Sequence, residues 1–386
     1  MKPRMPRALL ITALLLPPLA IAQVAAAPAF AQGSMTQSEY QARLAAYLQV
    51  RQPYEEQATA YWDGVAAKRR IRNEKRRNNV PVLLEDYMLE QPPVYSGPPR
   101  PVDPSAPPGP PAAEAPPIPV LADFLRNAQQ HFGFVPDWPA NELDFKRAYA
   151  KAARAAGLTR DQIVGVYIFE TGGNGTYDTQ AGVTPTRTRA ISPAVGYNQL
   201  LSTNTASILH EHGNRILAVL RAKAKGMSGS SKLAMERKIE ATRRMIAHSR
   251  TVPLRWGDLD RMAKTTAPGI GLHAAILDRD IGPLLQVQKL ATSVHFARMK
   301  GYTAPLSASE LELMNLTGDS TGLDMVMMPA AYRARVPTAN FFQQNGYERN
   351  PVARRTGVVA KLIADMENQM ARGAQNAGAK ELAAAF

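Results

Sequence analysis

The chain contains no cysteine. Disulfide bridges, thiolate nucleophiles and cysteine-based metal sites are therefore excluded. Histidine is scarce, with 6 in 386 residues. The one close pair, His210 and His212, is two residues apart. On a helix such side chains point to different sides, whereas the zinc-protease pattern sets its histidines four apart. No metal and no cofactor is expected. Alternating apolar and polar stretches of the half-buried strand type are few. The chain therefore reads as mainly α.

Positive charge is in excess, +14 overall. Lys2, Arg4 and Arg7 precede an apolar run from Ala8 to about Ile21, which is short and broken by proline. Small residues follow, ending in Ala29-Phe30-Ala31. This pattern predicts a secretory signal peptide over 1–31, with a mature chain from Gln32 in the periplasm. A second basic run, residues 68–77, carries seven positive charges and one negative. Behind a signal peptide its expected partners are an anionic envelope surface or envelope proteins rather than nucleic acid. The alternative is a solvated helix face.

Residues 32–91 read as a basic helical module. Tyr40, Leu44, Tyr47 and Leu48 form one stripe of a helix, and Pro53 predicts a break before a second helix with Tyr61, Trp62 and Val65. Residues 92–119 hold 13 of the 31 prolines. Without N–H groups and with φ fixed, this stretch predicts an extended spacer. Residues 120–372 read as a helical domain. Within it, Phe145–Ala156 is a strong helix former stopped by Gly157. Thr159 with Gln162, and Ser307 with Glu310, have the spacing of capping boxes. Residues 373–386 read as a disordered tail.

One carboxylate is out of place. In YIFETGGNG, Glu170 follows Ile163, Val166 and Tyr167 on one helix face. Gly172-Gly173 ends the helix just beyond it. An apolar surround and the negative end of the macrodipole both disfavour the ionised form. A carboxyl that keeps its proton near neutral pH suits general acid catalysis. The alternative is a glutamate that simply projects past the helix end.

Glu170-Thr171, then a glycine-rich polar loop, then Ser192-Pro193-Ala194-Val195-Gly196-Tyr197-Asn198-Gln199 resembles the signature of the soluble lytic transglycosylases. The resemblance implies a divergent lysozyme-like domain that cleaves peptidoglycan between N-acetylmuramic acid and N-acetylglucosamine. It implies Glu170 as the single catalytic acid. Thr171, Ser192, Gly196, Tyr197, Asn198 and Gln199 become substrate-binding residues, with Tyr197-Asn198 replacing the family's leucine and methionine. Asn315, in LMNLTG, stands for the asparagine of the third motif, which here lacks its tyrosine. Tyr347 is a candidate for a later cleft tyrosine. Asp178, the only acidic residue between Glu170 and Gly196, keeps a two-carboxylate hydrolase open. A non-catalytic peptidoglycan-binding scaffold is the rival reading.

Overall fold

The computed structural model describes residues 35–106, 117–184 and 189–386. The signal peptide reading and the middle of the proline-rich stretch lie outside them. The described residues are mainly helical, with no named strand and three isolated bridges. The chain divides into two compact units, Met1–Glu56 with Val94–Ala112, and Gln57–Pro93 with Ala113–Phe386.

In the first unit, the leading half of α1 (Gln37–Arg77) carries Tyr47, Arg51 and Tyr54. Tyr95, from the proline-rich stretch, rests against both tyrosines, and the Arg51 guanidinium lies 4.9 Å from its ring centre. The start of that stretch is thus pinned by aromatic and cation–π contact rather than free.

Pro53 does not break α1, which is one 41-residue helix. The expected hairpin does not form; the helix continues past the proline. Its basic run lies in the second unit, where five of its cations bond to their own chain. Arg72 is buried, donating to the Asp86 and Asn340 carbonyls and stacking on Tyr87. Lys75 pairs with Asp86, Arg76 with Asp324, Lys68 with the Glu85 carbonyl and Arg69 with the Asn340 carbonyl. Arg70 and Arg77 stay exposed. Tyr61 and Val65 form a small core with Tyr347, flanked by Trp62 and Phe342. Tyr347 is therefore a packing residue, buried against Tyr61, Val65 and Trp62.

The rest of the second unit is built from α2 (Leu121–Phe132), α3 (Glu142–Ala155), α4 (Arg160–Thr171), α5 (Ser202–Lys225), α6 (Gly229–Ser249), α7 (Trp256–Thr265), α8 (Ala267–Gly271), α9 (Gly282–Met299), α10 (Ala308–Thr317), α11 (Asp319–Val326), α12 (Ala330–Arg333), α13 (Gln344–Glu348), α14 (Pro351–Thr356), α15 (Val359–Gly373) and α16 (Ala377–Ala384). Its apolar residues form two large cores. One gathers α3, α4, α10, α11, α15 and α16. The other gathers α2 and α5 to α8. Helix α9 joins them, giving Leu285 to the second and Val287 and Leu290 to the first. The tail expected to be disordered is a helix. Ala379 and Leu382 of α16 are buried against α3 and α4, and Lys146 pairs with Glu381 at 2.6 Å.

Candidate active site

Helix α4 starts where the capping box places it. The Thr159 hydroxyl accepts from the Gln162 amide at 3.2 Å, and the Gln162 side chain accepts from the Thr159 amide at 2.9 Å. The helix ends at Gly172, which sits in the left-handed region at φ 67°. Helix α10 begins with the second box, Ser307 with Glu310. The two helices approach closely because α4 carries Gly165 at the crossing. A Cβ there would lie 2.5 Å from the Ala308 Cβ, so no larger residue fits without moving α10. Gly165 faces Ala308 and Glu170 faces Asn315, so the helices run in the same direction. Both negative ends converge on Glu170.

The Asn315 Nδ2 donates to Glu170 Oε1 at 2.8 Å. The same nitrogen lies 3.5 and 3.4 Å from the two carboxyl oxygens of Glu312, one turn back on α10. Glu312 has no exposed surface, and its carboxyl faces that of Glu170 across the Asn315 amide. Lys289 of α9 places a positive charge in reach of the pair. It also reaches Asp319, at the start of α11, at 3.4 Å. Ser293 donates to Asp319 at 2.6 Å.

Burial pushes the Glu170 carboxyl up to about 7, against the pull of Glu312, Asn315 and the Lys289 charge. Burial, then the charge of Glu170, pushes Glu312 well above the usual carboxylate range. A partly buried acid poised near neutrality can both give and take a proton in one cycle.

Asn315, expected to meet substrate, has its amide on the Glu170 carboxyl. Glu312 was missed. Its signal was present: it lies three residues before Asn315, hence on the same helix face, inside the run Leu311-Glu312-Leu313-Met314. A carboxylate among buried leucines is the same anomaly that singled out Glu170.

The downstream motif does a different job from the one expected. Tyr197 and Asn198 are 0 % and 1 % exposed. A side chain with no surface cannot meet a glycan, so neither lines a cleft. Tyr197 packs edge-on against Phe145, Tyr149 and Tyr167, and its hydroxyl donates to Glu142. Asn198 accepts from the Tyr149 hydroxyl at 2.7 Å and donates to the Gln286 carbonyl at 3.0 Å. Gly196 has φ 84°, and a Cβ there would lie 2.7 Å from the Gln286 amide. The motif is a buried turn, bridged Val195 to Leu200, that locks the loop after Glu170 onto α9.

The remaining candidates are half-buried. Gln199, itself at φ 41°, donates to the Thr179 and Gly196 carbonyls. The Thr171 hydroxyl donates back to the Tyr167 carbonyl at 2.6 Å. The Ser192 hydroxyl accepts from the Ala194 amide at 3.1 Å. Asp178 accepts from the Thr176 hydroxyl at 2.6 Å in the same loop. His210 and His212 lie on α5. No cluster able to hold a metal ion occurs among the described residues. Compared with protein-family models, curated proteins and solved structures, the chain matches none.

Proposed function

We propose that the chain is a lytic transglycosylase acting on peptidoglycan in the periplasm, with Glu170 as its one general acid and base. The observation that carries this reading is Glu170 itself: partly buried at the ends of two converging helices and clamped by Asn315, with burial pushing its carboxyl up to about 7. The helical domain around it is then a divergent lysozyme-like domain.

Neutral Glu170 gives its proton to the oxygen between N-acetylmuramic acid and N-acetylglucosamine, and that C–O bond breaks. The substrate's acetamido group steadies the positive charge at C1. Ionised Glu170 then takes the proton of the 6-hydroxyl as its oxygen closes on C1. The product is a 1,6-anhydro sugar, and the enzyme is returned to its starting form. Two-carboxylate glycosidases set their acids apart, on either side of the scissile bond. Glu312 faces Glu170 across the Asn315 amide and lies behind it, and Asp178 is tied into its own loop, which favours the single-acid route.

A wall-binding scaffold without catalysis is supported by one observation, the loss of Tyr197 and Asn198 from any cleft. An anionic envelope partner for 68–77 has chiefly Arg70 and Arg77 left to meet. The deciding experiment is digestion of purified peptidoglycan with the mature chain and a Glu170→Gln variant, followed by mass analysis. Anhydro-muropeptides from the parent alone support the proposal. Reducing-end products mean hydrolysis, and glycan binding without products means a scaffold.

A further inference from the structure

Glu312 has a role that the single-acid scheme leaves unassigned. It is wholly buried, and the Asn315 amide nitrogen lies near both its carboxyl and that of Glu170. Two carboxyls gathered on one amide nitrogen, one of them wholly buried and without an ion-pair partner, cannot both be ionised, so at least one holds a proton. The one amide between them, from Asn315, is spent chiefly on Glu170, at 2.8 Å against 3.4 and 3.5 Å to Glu312. The groups facing Glu312 are few. Glu170 comes from α4, Lys289 from α9, the Tyr149 hydroxyl from α3, and Asp319 from α11 beyond Lys289. Glu367 of α15 is taken up by Ser309 at 3.1 Å. No cation lies within ion-pair distance of Glu312 among the described residues.

We propose that Glu312 is a positioning residue that stays protonated through the catalytic cycle and donates its O–H to Glu170. Glu170 is then held from two directions, by the Asn315 amide and by the Glu312 hydroxyl. Both donors favour the carboxylate that forms once the glycosidic oxygen has taken the proton. They leave Glu170 strong enough an acid to give its proton up despite its apolar surround. Glu312 is wholly buried whereas Glu170 keeps some exposed surface, so desolvation holds the proton on the deeper residue. The assignment rests on Glu170 being the reacting acid only for its catalytic meaning; the proton on Glu312 can be tested without activity.

The test is a carbon-13 NMR titration of glutamate-labelled full-length protein, parent against Glu312→Gln and Glu312→Met, with Glu170→Gln to assign the signal. Peptidoglycan digestion is followed across the same pH range. Glutamine keeps a neutral donor, and methionine removes it. The expected result is a Glu312 signal that does not titrate near neutrality and a Glu170 midpoint held within about half a unit in Glu312→Gln. In Glu312→Met that midpoint rises by about one to two units, and the alkaline limb of the pH–rate profile moves with it. Glu312→Ala serves if methionine does not fit. A Glu312 signal titrating near neutrality overturns the proposal. So does a lowered Glu170 midpoint with lost cleavage in Glu312→Gln, which marks an ionised base. So does an unmoved midpoint in all variants, which marks a purely structural residue. If the parent does not cleave peptidoglycan, the functional reading fails, while the midpoints still decide the proton on Glu312.

Discussion

Each of the two large cores buries an acid that has no exposed surface, and the two acids are treated in opposite ways. Asp278, in the core of α2 and α5 to α8, is saturated with donors. It accepts from the Asp137, Asp280 and Ile281 amides at 2.8, 2.9 and 3.1 Å, and Lys238 lies 2.9 Å away. Lys238 also bridges to Asp280 at 2.7 Å. Glu312, in the core of α4 and α10, has one shared amide and another carboxyl. A buried charge is kept when its lone pairs are filled, and is otherwise neutralised. Asp278 therefore braces the fold. On the proposed reading, the Glu170–Glu312 pair holds a proton that can move.

The contrast is open to attack in order of effect. If Glu170 is the reacting acid proposed above, Glu170→Gln removes the proton it gives, so glycan cleavage should fall about a thousand-fold or more, measured as anhydro-product release. The same variant should unfold no more easily than the parent at pH 7, since a neutral amide replaces an acid that burial penalises. Lys238→Met strips Asp278 of its counter-ion and should cost roughly 3–5 kcal/mol in urea unfolding. If it costs less than the equivalent change at Glu312, the distinction between a bracing acid and a working acid collapses.

Next in size is the pH dependence of stability. His273 lies wholly inside the second core, between the Thr205 hydroxyl at 2.8 Å and the Pro193 carbonyl at 3.0 Å, and burial pulls it down from 6.5 to about 3. Below pH 6.5 the unfolded chain takes up a proton that the folded chain refuses. Its contribution is thus intact above 6.5 and drains away toward pH 3, about 2 kcal/mol by pH 5. Glu170 acts in the reverse sense. Raised from 4.5 to about 7, its contribution is present below 4.5 and lost as pH rises through 7. Unfolding curves at pH 5 and 7 for the parent, His273→Gln and Glu170→Gln should separate the two slopes. The smallest effect is expected of Asp178→Asn, which should leave cleavage within about twofold, since the side chain serves only its loop. A thousand-fold loss there would restore the two-carboxylate hydrolase.

Much of this was legible one residue at a time. The two capping boxes, the Gly172 exit and the apolar face beneath Glu170 are local matters, set by φ, hydrogen bonding and a 3.6-residue period. Tyr197 and Asn198 were read as a polar cleft because a tyrosine and an asparagine after a glycine look the same whether they face water or a core. Their hydroxyl and amide are satisfied by Glu142, Tyr149 and Gln286, from α3 and α9. Pro53 was read as a break because interior proline removes a hydrogen bond, yet α1 runs through it.

The sequence by itself determined the helical class, the starts of α4 and α10, and the anomaly of a glutamate on an apolar stripe, because each follows from neighbours within a turn. Only the tertiary structure decided that α10 meets α4 at Gly165, that Glu312 stands behind Glu170, and that the basic run of α1 is spent on Asp86, Asp324 and the carbonyls of Glu85 and Asn340. These pairings join residues up to 271 positions apart, and no local periodicity encodes which distant partner a buried charge will find.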